Sequence, residues 1–507
     1  MKLVDLVRGL NLRPASCLND LDISGIAYNS QNVKKGFLFV AIKGFSTDGH
    51  QYILPAVMNG ASCIALESLR SLDKKEIRIE KSYLVCGEKK VPFIRFRNNR
   101  ILLSRVSANF FQHPCRQMNV IGITGTNGKT TTTYLIEKIL QEQGYKVGVI
   151  GTINYRVNNQ SLPASATTPE SLDLHALFSD MVKQKVRYVV MEVSSHSLSL
   201  NRVDDVHFDS VIFTNLTEDH FDFHRNFSGY FRAKRKIFEL LVRSEKKVKT
   251  GLINQDDRYG RKLIRQFRQQ KSFITFSYGI DSPCDLRADN IHISLDKTKF
   301  QFPYKGRRFT VSSGLIGKHN VYNILSAAGI GIIEGVPVER IIAAVEKLRS
   351  VAGRMEMQKI RDFYVGIDYA HTEDALQNVL EAIKELKPDR IITVFGCGGN
   401  RDRRKRPHMA RVASERSDIV IITSDNPRRE DPLSIIREVE RGIRPHTEYF
   451  TIVDRYEAIK KGLSLARAND FLLLAGKGHE DYQIIGDKKF PFDDKEAVLK
   501  LSGEVPC

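Results

Sequence analysis

The stretch VIGITGTNGKTTTT at residues 120–133 constrains the fold of this chain more than any other. Its apolar start, residues 120–123, predicts a buried strand, and apolar residues from Leu135 onward recur at helical spacing. Strand, glycine turn, Gly-Lys-Thr and helix is the layout of a phosphate-binding loop, although the glycine spacing differs from the common GxxxxGK[ST] pattern. A Gly-Lys-Thr on an ordinary surface turn is the alternative, but the flanking strand and helix favour a nucleotide site.

Each part of such a loop has a physical task. Its glycines let backbone N–H groups approach phosphate oxygens, and the N-terminus of the helix adds partial positive charge. Lys129 is long enough to reach the β- and γ-phosphates, and the Thr130 hydroxyl is suited to bind Mg²⁺. The predicted nucleotide-binding segment consists of Gly125, Thr126, Asn127, Gly128, Lys129, Thr130 and Thr131.

The length of 507 residues exceeds what one ordinary core supports, so two to four domains are expected. No apolar run approaches the ~20 residues that span a bilayer. The first residues lack the apolar core and cleavage site of a signal peptide, which predicts a cytoplasmic protein without a membrane partner. The seven cysteines, Cys17 and Cys507 among them, are scattered and form no CxxC pair, so neither a disulfide framework nor a zinc site is predicted.

The formal net charge of +19 has two interpretations. It is compatible with a nucleic-acid partner, but no RNA- or DNA-binding motif accompanies it. The basic residues are spread through the chain, with local runs such as residues 243–249. A solvated basic surface that attracts anionic nucleotide substrates is therefore favoured, and no nucleic-acid partner is expected.

Alternating apolar strands and helical segments predict an α/β protein of three domains. Pro114 interrupts regular structure, which places an N-terminal domain at 1–115. A central phosphate-loop domain with a parallel sheet is expected at 116–345, and a Rossmann-like C-terminal α/β domain at 346–507. In open sheets of this kind, ligands bind beyond the carboxyl ends of the strands.

Polar residues follow the predicted strands of the central domain. Glu192 comes directly after the strand 188–191, and Asp219 and His220 follow the strand 211–214. An acid at a strand end in a phosphate-loop protein is a natural Mg²⁺ ligand, because Mg²⁺ prefers carboxylate oxygen. A single strand-end Glu or His is often structural, but two such sites in one phosphate-loop domain favour metal binding.

Together these motifs resemble the Mur ligases and their folylpolyglutamate synthetase relatives, which form amide bonds with ATP. The resemblance includes GITGTNGKTTT, MEVSSHSL, TNLTEDHFDFH and GYFRAKRKIF, and it extends from about residue 25 to the FDDKEA segment near the C-terminus. It implies that the N-terminal domain binds the UDP part of a substrate, the central domain binds ATP and the C-terminal domain binds an amino acid.

The resemblance also assigns catalytic and metal-binding residues. Lys129, Lys234 and His220 are expected to act in catalysis, and Thr130, Glu192, His220 and Lys234 to hold Mg²⁺. The matching family lysine is carbamylated, which turns a cation into an anionic oxygen ligand. An unmodified Lys234 would instead repel the metal.

Substrate and ATP contacts are implied in the same way. In the N-terminal domain Ser30 matches an Asp-Ser-Arg pattern whose flanking positions here are Asn29 and Gln31, and an ordinary turn is an equally weighted alternative. Asn320 is predicted to cap a helix. Further UDP-substrate contacts are expected from Thr167, Thr168, Ser194 and Arg202, and ATP contacts from Asn323, Arg354 and Asp368.

The sequence DNPR at 425–428 bears on the choice of amino acid. It follows an apolar strand, and Pro427 stiffens the turn. meso-Diaminopimelate carries one carboxylate more than L-lysine, and a guanidinium such as that of Arg428 binds a carboxylate with two parallel hydrogen bonds. Diaminopimelate-adding members of the family carry the same DNPR. The resemblance assigns the pocket to Arg401, Asp425, Asn426, Pro427, Arg428, Gly476 and Glu480.

The resemblance therefore implies a monomeric ATP- and Mg²⁺-dependent ligase in peptidoglycan precursor synthesis. It would add meso-diaminopimelate to the D-glutamate of UDP-N-acetylmuramoyl-L-alanyl-D-glutamate through an acyl phosphate. An L-lysine-adding ligase, a folylpolyglutamate synthetase-like ligase and a non-catalytic scaffold are the alternatives. Intact Lys129, Glu192, His220 and Lys234 argue against loss of activity.

Overall fold

The structure is a computed structural model that describes residues 1–12, 18–44, 47–72, 76–157, 160–295 and 297–503; Cys17 and Cys507 lie outside these ranges. Two compact units divide the chain. The first unit comprises residues 1–122, 146–211 and 236–249, and the second comprises 123–145, 212–235 and 250–507. Within the described ranges, no helix is both long enough and apolar enough to cross a membrane.

The N-terminal part of the first unit is a small α/β module. Its helices are α1 (Leu3–Leu6), α2 (Ile53–Met58) and α3 (Asn99–Phe110), and its strands are β1 (Gly25–Ala27), β2 (Phe37–Val40), β3 (Ala61–Leu66), β4 (Arg78–Glu80), β5 (Tyr83–Cys86) and β6 (Lys89–Arg95). The sheet order is β1-β2-β3-β6-β5-β4, parallel as far as β6 and antiparallel beyond it. Buried apolar residues cover both faces of this sheet.

The central segment begins with the phosphate-loop strand and alternates strands with helices. Its elements are β7 (Asn119–Thr124), α4 (Lys129–Glu142), β8 (Val147–Ile150), β9 (Asn154–Val157), β10 (Gln160–Pro163), α5 (Ser171–Lys183), β11 (Tyr188–Glu192), α6 (Ser195–Ser199), β12 (Ser210–Phe213), α7 (Phe221–His224), α8 (Phe227–Arg243), β13 (Thr250–Asn254), α9 (Arg258–Phe267), β14 (Ile274–Gly279), β15 (Leu286–Arg287), β16 (Asp289–Ile293), β17 (Thr298–Tyr304), β18 (Arg307–Ser313), α10 (Lys318–Ile333) and α11 (Val338–Lys347).

The strands of this segment pair into mixed, parallel and antiparallel arrangements within the two units. In the first unit β9 pairs antiparallel with both β10 and β8, and β8 pairs parallel with β11. In the second unit β13, β14 and β15 are parallel neighbours, and β16, β17 and β18 form a separate antiparallel sheet. The buried strands β8 and β11 are almost wholly apolar, as expected of strands that are covered on both faces.

The C-terminal segment of the second unit is an open α/β sheet. Its elements are β19 (Glu356–Ile360), β20 (Phe363–Asp368), α12 (Glu373–Glu385), β21 (Ile391–Phe395), α13 (Lys405–Arg416), β22 (Ile419–Ile422), α14 (Pro432–Glu440), β23 (Glu448–Thr451), α15 (Arg455–Leu465), β24 (Phe471–Ala475), β25 (Tyr482–Ile485), β26 (Lys488–Pro491) and α16 (Asp494–Ser502). The order β19-β20-β24-β21-β22-β23 is parallel except for β19, and the predicted α/β class is confirmed.

The register of this sheet fixes where its functional loops lie. Asp368 at the end of β20 pairs with Ala475 of β24, which also pairs with Phe395 of β21, and Phe395 pairs with Ile422 of β22. Four strands thus end at the same level. The loops that follow them therefore meet at one edge of the sheet, as the sequence predicts.

Candidate active site

The phosphate-loop geometry depends on two glycines. After β7 ends at Thr124, Gly125 has φ +154°, and Gly128 has φ +86° immediately before α4 begins at Lys129. A Cβ on Gly125 would lie 1.8 Å from Thr214 Oγ1, and one on Gly128 would lie 2.4 Å from Asn323 Oδ1. Both positions therefore exclude a side chain, and the backbone N–H groups at the start of α4 remain accessible to an anion.

Predicted nucleotide ligands lie together at this loop. Lys129 Nζ donates to the backbone oxygens of Gly125 at 2.9 Å and Thr126 at 2.8 Å. The buried Thr130 hydroxyl accepts from Arg354 Nη2 at 3.2 Å, so the structure brings Arg354 to the loop. Thr131 is also buried, in the first turn of α4.

Asp374 is a loop contact that the sequence did not reveal. Its Oδ2 accepts from Asn127 Nδ2 at 2.6 Å and from Thr217 Oγ1 at 2.9 Å. Burial raises the pKa of this carboxyl, while the two donors oppose that shift. Asp374 lies in the first turn of α12, where acidic residues are common, so nothing in the local sequence marked it out.

Asn323 and Asp368 form hydrogen bonds with nearby residues of the second unit. Asn323 is buried on α10 and donates to Asn320 Oδ1 at 3.0 Å. The prediction that Asn320 caps this helix is wrong, because Gly317 occupies the cap and Asn320 Nδ2 donates to Ile316 O from within the helix.

Asp368 accepts hydrogen bonds of 2.7 Å from the backbone N–H groups of Met355 and Ala370. Burial raises the pKa of Asp368, and the charge of Arg354 opposes that shift.

Lys234 is buried against the phosphate loop. Its Nζ donates to Gly125 O at 2.6 Å and lies 4.6 Å from the centre of the Tyr230 ring, and the residue is 1% exposed. Burial, with a smaller contribution from the Lys129 charge, holds the pKa of Lys234 well below its usual range. The sequence shows only a basic residue in KRK and gives no sign of this burial.

His220 lies at a strained position in the same unit. Its φ of +55° is unusual for a residue with a side chain, and it directly precedes α7. Its Nε2 is 3.2 Å from Asp219 Oδ2, and its ring meets Tyr230 edge-on with the centroids 6.3 Å apart. Tyr230 therefore contacts both His220 and Lys234, a role that the sequence prediction missed.

Glu192 organises several predicted residues of the first unit. The carboxylate is buried and accepts from Thr152 N and Thr152 Oγ1, both at 2.9 Å. Thr167 Oγ1 is 3.1 Å from Thr152 Oγ1, and Thr168 Oγ1 donates to the Glu192 backbone oxygen at 2.8 Å. Ser194 N donates to Thr168 Oγ1 at 3.1 Å, so these polar groups form one hydrogen-bonded cluster at the end of β11.

Arg202 belongs to an ion-pair network next to that cluster. It lies 2.8 Å from Glu170 Oε1 and donates to Thr168 O at 3.0 Å. Arg100 donates to the same Glu170 oxygen at 2.9 Å, so two cations share one carboxylate. The sequence did not identify Arg100 or Glu170, because they are 70 positions apart in the chain.

Ser30 is part of a hydrogen-bonded turn in the N-terminal module. It is buried at the start of a 3-10 turn that Asn29 caps, since Asn29 Oδ1 accepts from Gln31 N at 3.0 Å. Its backbone oxygen accepts from Asn59 Nδ2 at 2.9 Å. Asn29, one of the two departures from the family pattern, therefore serves the turn itself.

The DNPR loop and the loop after β24 share a pocket at the sheet edge. Asn426 Nδ2 donates to Glu480 Oε2 at 2.7 Å, and Asn426 Oδ1 accepts from Ile484 N at 2.8 Å. Asp425 is 7% exposed, and Gly476 has φ +110° where a Cβ would lie 3.6 Å from Asp425 Oδ2. The structure thus brings Asp425, Asn426, Gly476 and Glu480 together.

Arg428 supplies positive charge to this pocket. Its Nη1 donates to Gly399 O at 3.0 Å and Asn426 O at 3.4 Å, while Pro427 O accepts from Glu430 N. Burial and then the exposed Arg401 lower the pKa of Arg428. Within the described part of the chain, neither Arg401 nor Arg428 forms an ion pair with a carboxylate.

The donor set that the resemblance assigns to Mg²⁺ is chemically suitable. Glu192 in the first unit offers a buried carboxylate, and in the second unit Thr130 offers a hydroxyl and His220 an imidazole. Among the described residues, no cluster of three His, Cys, Asp or Glu side chains forms a metal site by protein groups alone. The described cysteines are free.

Comparison with known proteins covers all three segments. Models described as the Mur ligase family catalytic domain, middle domain and glutamate ligase domain match residues 22–111, 123–331 and 353–478. The UDP-N-acetylmuramoyl-L-alanyl-D-glutamate–2,6-diaminopimelate ligase of Clostridium botulinum is 43% identical, with 96% of each chain covered. Its counterpart in Clostridium tetani is 39% identical over 100% of each chain. A solved structure of a ligase of the same name has a TM-score of 0.68 at 27% identity, with 99% of each chain covered.

Proposed function

This chain belongs to the Mur ligase family, and we propose that it joins meso-diaminopimelate to the D-glutamate of UDP-N-acetylmuramoyl-L-alanyl-D-glutamate, using ATP. This is a step of peptidoglycan precursor synthesis. The two Clostridium relatives are named as ligases for this reaction and match over almost their full length, which supports the proposal.

The observation that carries the amino-acid choice is the polarity of the C-terminal pocket. Arg428 and Arg401 form a cationic side without an ion pair among the described residues, and Asp425 and Glu480 form an acidic side. The distal end of meso-diaminopimelate carries a carboxylate and an ammonium, so it matches both sides. L-Lysine has only the ammonium and would leave the guanidinium groups without an anion.

In the proposed reaction, a carboxylate oxygen of the substrate D-glutamate attacks the γ-phosphorus of ATP, releasing ADP and forming an acyl phosphate. The amine of the amino acid then attacks the acyl carbon, the bond to the phosphate oxygen breaks, and an amide, inorganic phosphate and a proton result. Lys129 and the N–H groups at the start of α4 would bind the phosphates and offset charge that builds up. Water must be excluded while the acyl phosphate exists.

Mg²⁺ remains part of the proposal. Thr130, Glu192, His220 and a carbamylated Lys234 are the residues that would hold it, and it would neutralise phosphate charge. The burial of Lys234 and its lowered pKa support the carbamate, because only a neutral amine reacts with CO₂. The UDP-substrate would be bound by Ser30, Thr167, Thr168, Ser194 and Arg202. ATP would be bound by Asn323, Arg354 and Asp368. The monomeric state, the cytoplasmic location and the three-domain division stay predictions.

A parallel assay of amino-acid incorporation tests the proposal. Purified protein with ATP, Mg²⁺ and UDP-N-acetylmuramoyl-L-alanyl-D-glutamate receives either meso-diaminopimelate or L-lysine, and phosphate release and product mass are measured. Strong preference for meso-diaminopimelate is expected. Preference for L-lysine would contradict the pocket assignment, glutamate addition to a folate substrate would indicate the related synthetase, and no turnover with any substrate would indicate a scaffold.

A further inference from the structure

The side chain of Lys477 is fully buried between two carboxylates of the amino-acid pocket. Its Nζ lies 3.4 Å from Glu480 Oε2 and 3.7 Å from Asp425 Oδ1, and it also donates to the backbone oxygen of Tyr482. The side chain is 0% exposed. Burial of an ammonium costs free energy unless the charge is paired. The position of Lys477 between two carboxylates therefore indicates a role for its charge.

The two carboxylates differ in how well the protein satisfies them. Glu480 Oε2 accepts from Asn426 Nδ2 at 2.7 Å, and Glu480 Oε1 accepts from Tyr369 Oη at 3.4 Å. Asp425 Oδ1 is buried and accepts no hydrogen bond from the described residues, since Lys477 at 3.7 Å is too distant for one. A buried carboxylate oxygen without a donor marks a place that a ligand donor can fill.

We propose that Lys477 is a positioning residue whose charge lies between Asp425 and Glu480 and offsets their repulsion, so that both carboxylates are held in place to receive the distal ammonium of the amino acid. This rests on the proposed function, which supplies that ammonium. With Lys477 in place the three side chains carry one net negative charge, and the ligand ammonium neutralises it. Without Lys477, two buried like charges would face each other, which disfavours the ionised form of Glu480.

The remaining charges around the pair do not replace Lys477. Among the described residues, the titratable and charged groups that interact with Asp425 or Glu480 are Tyr369, Cys397, Arg428, Arg455, Lys477 and Tyr482. Arg455 is already paired with Asp494 through two bonds of 2.7 Å, and Arg428 donates to backbone carbonyls. Among the described residues, Lys477 is the cation that lies within 4.0 Å of both carboxylates.

The electrostatics of Glu480 agree with this role. Burial, and next the charge of Asp425, raise the pKa of Glu480, while Lys477 and Asn426 oppose the shift. Removal of Lys477 would therefore raise that pKa further. A Glu480 carboxyl with a higher pKa would take up a proton more readily and would ionise again as the pH rises.

The test is Lys477→Met, which removes the charge and keeps a similar length. Its KM for meso-diaminopimelate is expected to rise about tenfold to a hundredfold, with the KM for ATP little changed. The ratio of variant to wild-type kcat/KM for meso-diaminopimelate should recover as the pH rises from mildly acidic to mildly alkaline. Lys489→Met is the matched control, since Lys489 is exposed on β26, and it should behave as wild type at every pH.

A second variant separates charge balance from packing. In an Asp425→Asn background, Lys477→Met should raise the KM much less than it does alone, because only one carboxylate remains. If Lys477→Met does not fold, Lys477→Met/Asp425→Asn is expected to fold and to show this smaller effect. Equal losses in both backgrounds, a loss that does not change with pH, or failure of both variants to fold would overturn the inference. Failure of wild type to use meso-diaminopimelate would instead overturn the proposed function.

Discussion

Arg428→Ala gives the sharpest test of amino-acid choice. Arg428 has φ +53°, a conformation that costs any residue with a Cβ, so alanine retains that cost while it removes the guanidinium. Glycine would relieve the strain and change the loop as well. The alanine variant therefore reports on the side chain alone.

The magnitude follows from the contacts of Arg428. Its Nη1 bonds to Gly399 O and Asn426 O support the loop with any substrate, and each neutral-acceptor bond is worth about 0.5–1.5 kcal/mol. A charge-assisted pair with the distal carboxylate adds about 1.5–3 kcal/mol for meso-diaminopimelate only. Since about 1.4 kcal/mol corresponds to a factor of ten, preference for meso-diaminopimelate over L-lysine should fall about tenfold to a hundredfold.

The assay compares kcat/KM for the two amino acids in wild type, Arg428→Ala and Arg429→Ala. Arg429 is the adjacent arginine, but its side chain is 72% exposed and pairs with Asp487, which is 74% exposed. Such a surface pair contributes little, so this control should keep the wild-type preference. The KM for ATP should change little in either variant. An unchanged preference in a folded Arg428→Ala protein would refute the carboxylate assignment.

Three further outcomes are expected from other residues. Lys129→Ala should abolish phosphate release without a large change in melting temperature, because Lys129 contributes charge to the phosphate loop and little packing; near-normal turnover would contradict the loop assignment. Lys234→Ala should lose most activity and regain part of it with acetate or formate, which supply the missing oxygen ligand, but not with chloride; an ammonium at Lys234 in a crystal with nucleotide and Mg²⁺ would count against the carbamate. Arg455→Met should lower the free energy of unfolding by about 3–5 kcal/mol, because it leaves Asp494 buried without its ion-pair partner. Arg455→Met/Asp494→Leu should recover most of that loss, as measured by thermal unfolding.

The strand-end motifs were predictable because they combine two strong local signals. A short apolar run predicts a buried strand, and polar residues directly after it predict a loop at the ligand edge of the sheet. Glu192 at the end of β11 and Asp425 after β22 both follow this pattern. The phosphate loop adds glycines whose positive φ the structure requires, so its position was equally clear from the sequence.

Roles that depend on tertiary contacts could not be predicted in this way. Lys234 lies in KRK and Lys477 in AGKGHE, and no neighbouring residue indicates that either ammonium is buried. Asp374 reaches Asn127 from 247 positions away. The wrong cap assignment of Asn320 has a similar cause. Its residue type favours helix starts, but Gly317 with φ +103° sets where α10 begins.

Contacts within the second unit connect the phosphate loop with the amino-acid pocket. Arg354 donates to Thr130 at one end and lies over the Tyr369 ring, 4.8 Å from its centre, at the other. Tyr369 Oη in turn donates to Glu480. A Cβ on Gly353 would lie 2.2 Å from His479 N, so Gly353 packs directly on the loop that follows β24. Contacts of residues 353 and 354 therefore join the phosphate loop to the loop that carries Glu480, so a substitution at Arg354 is expected to affect both places.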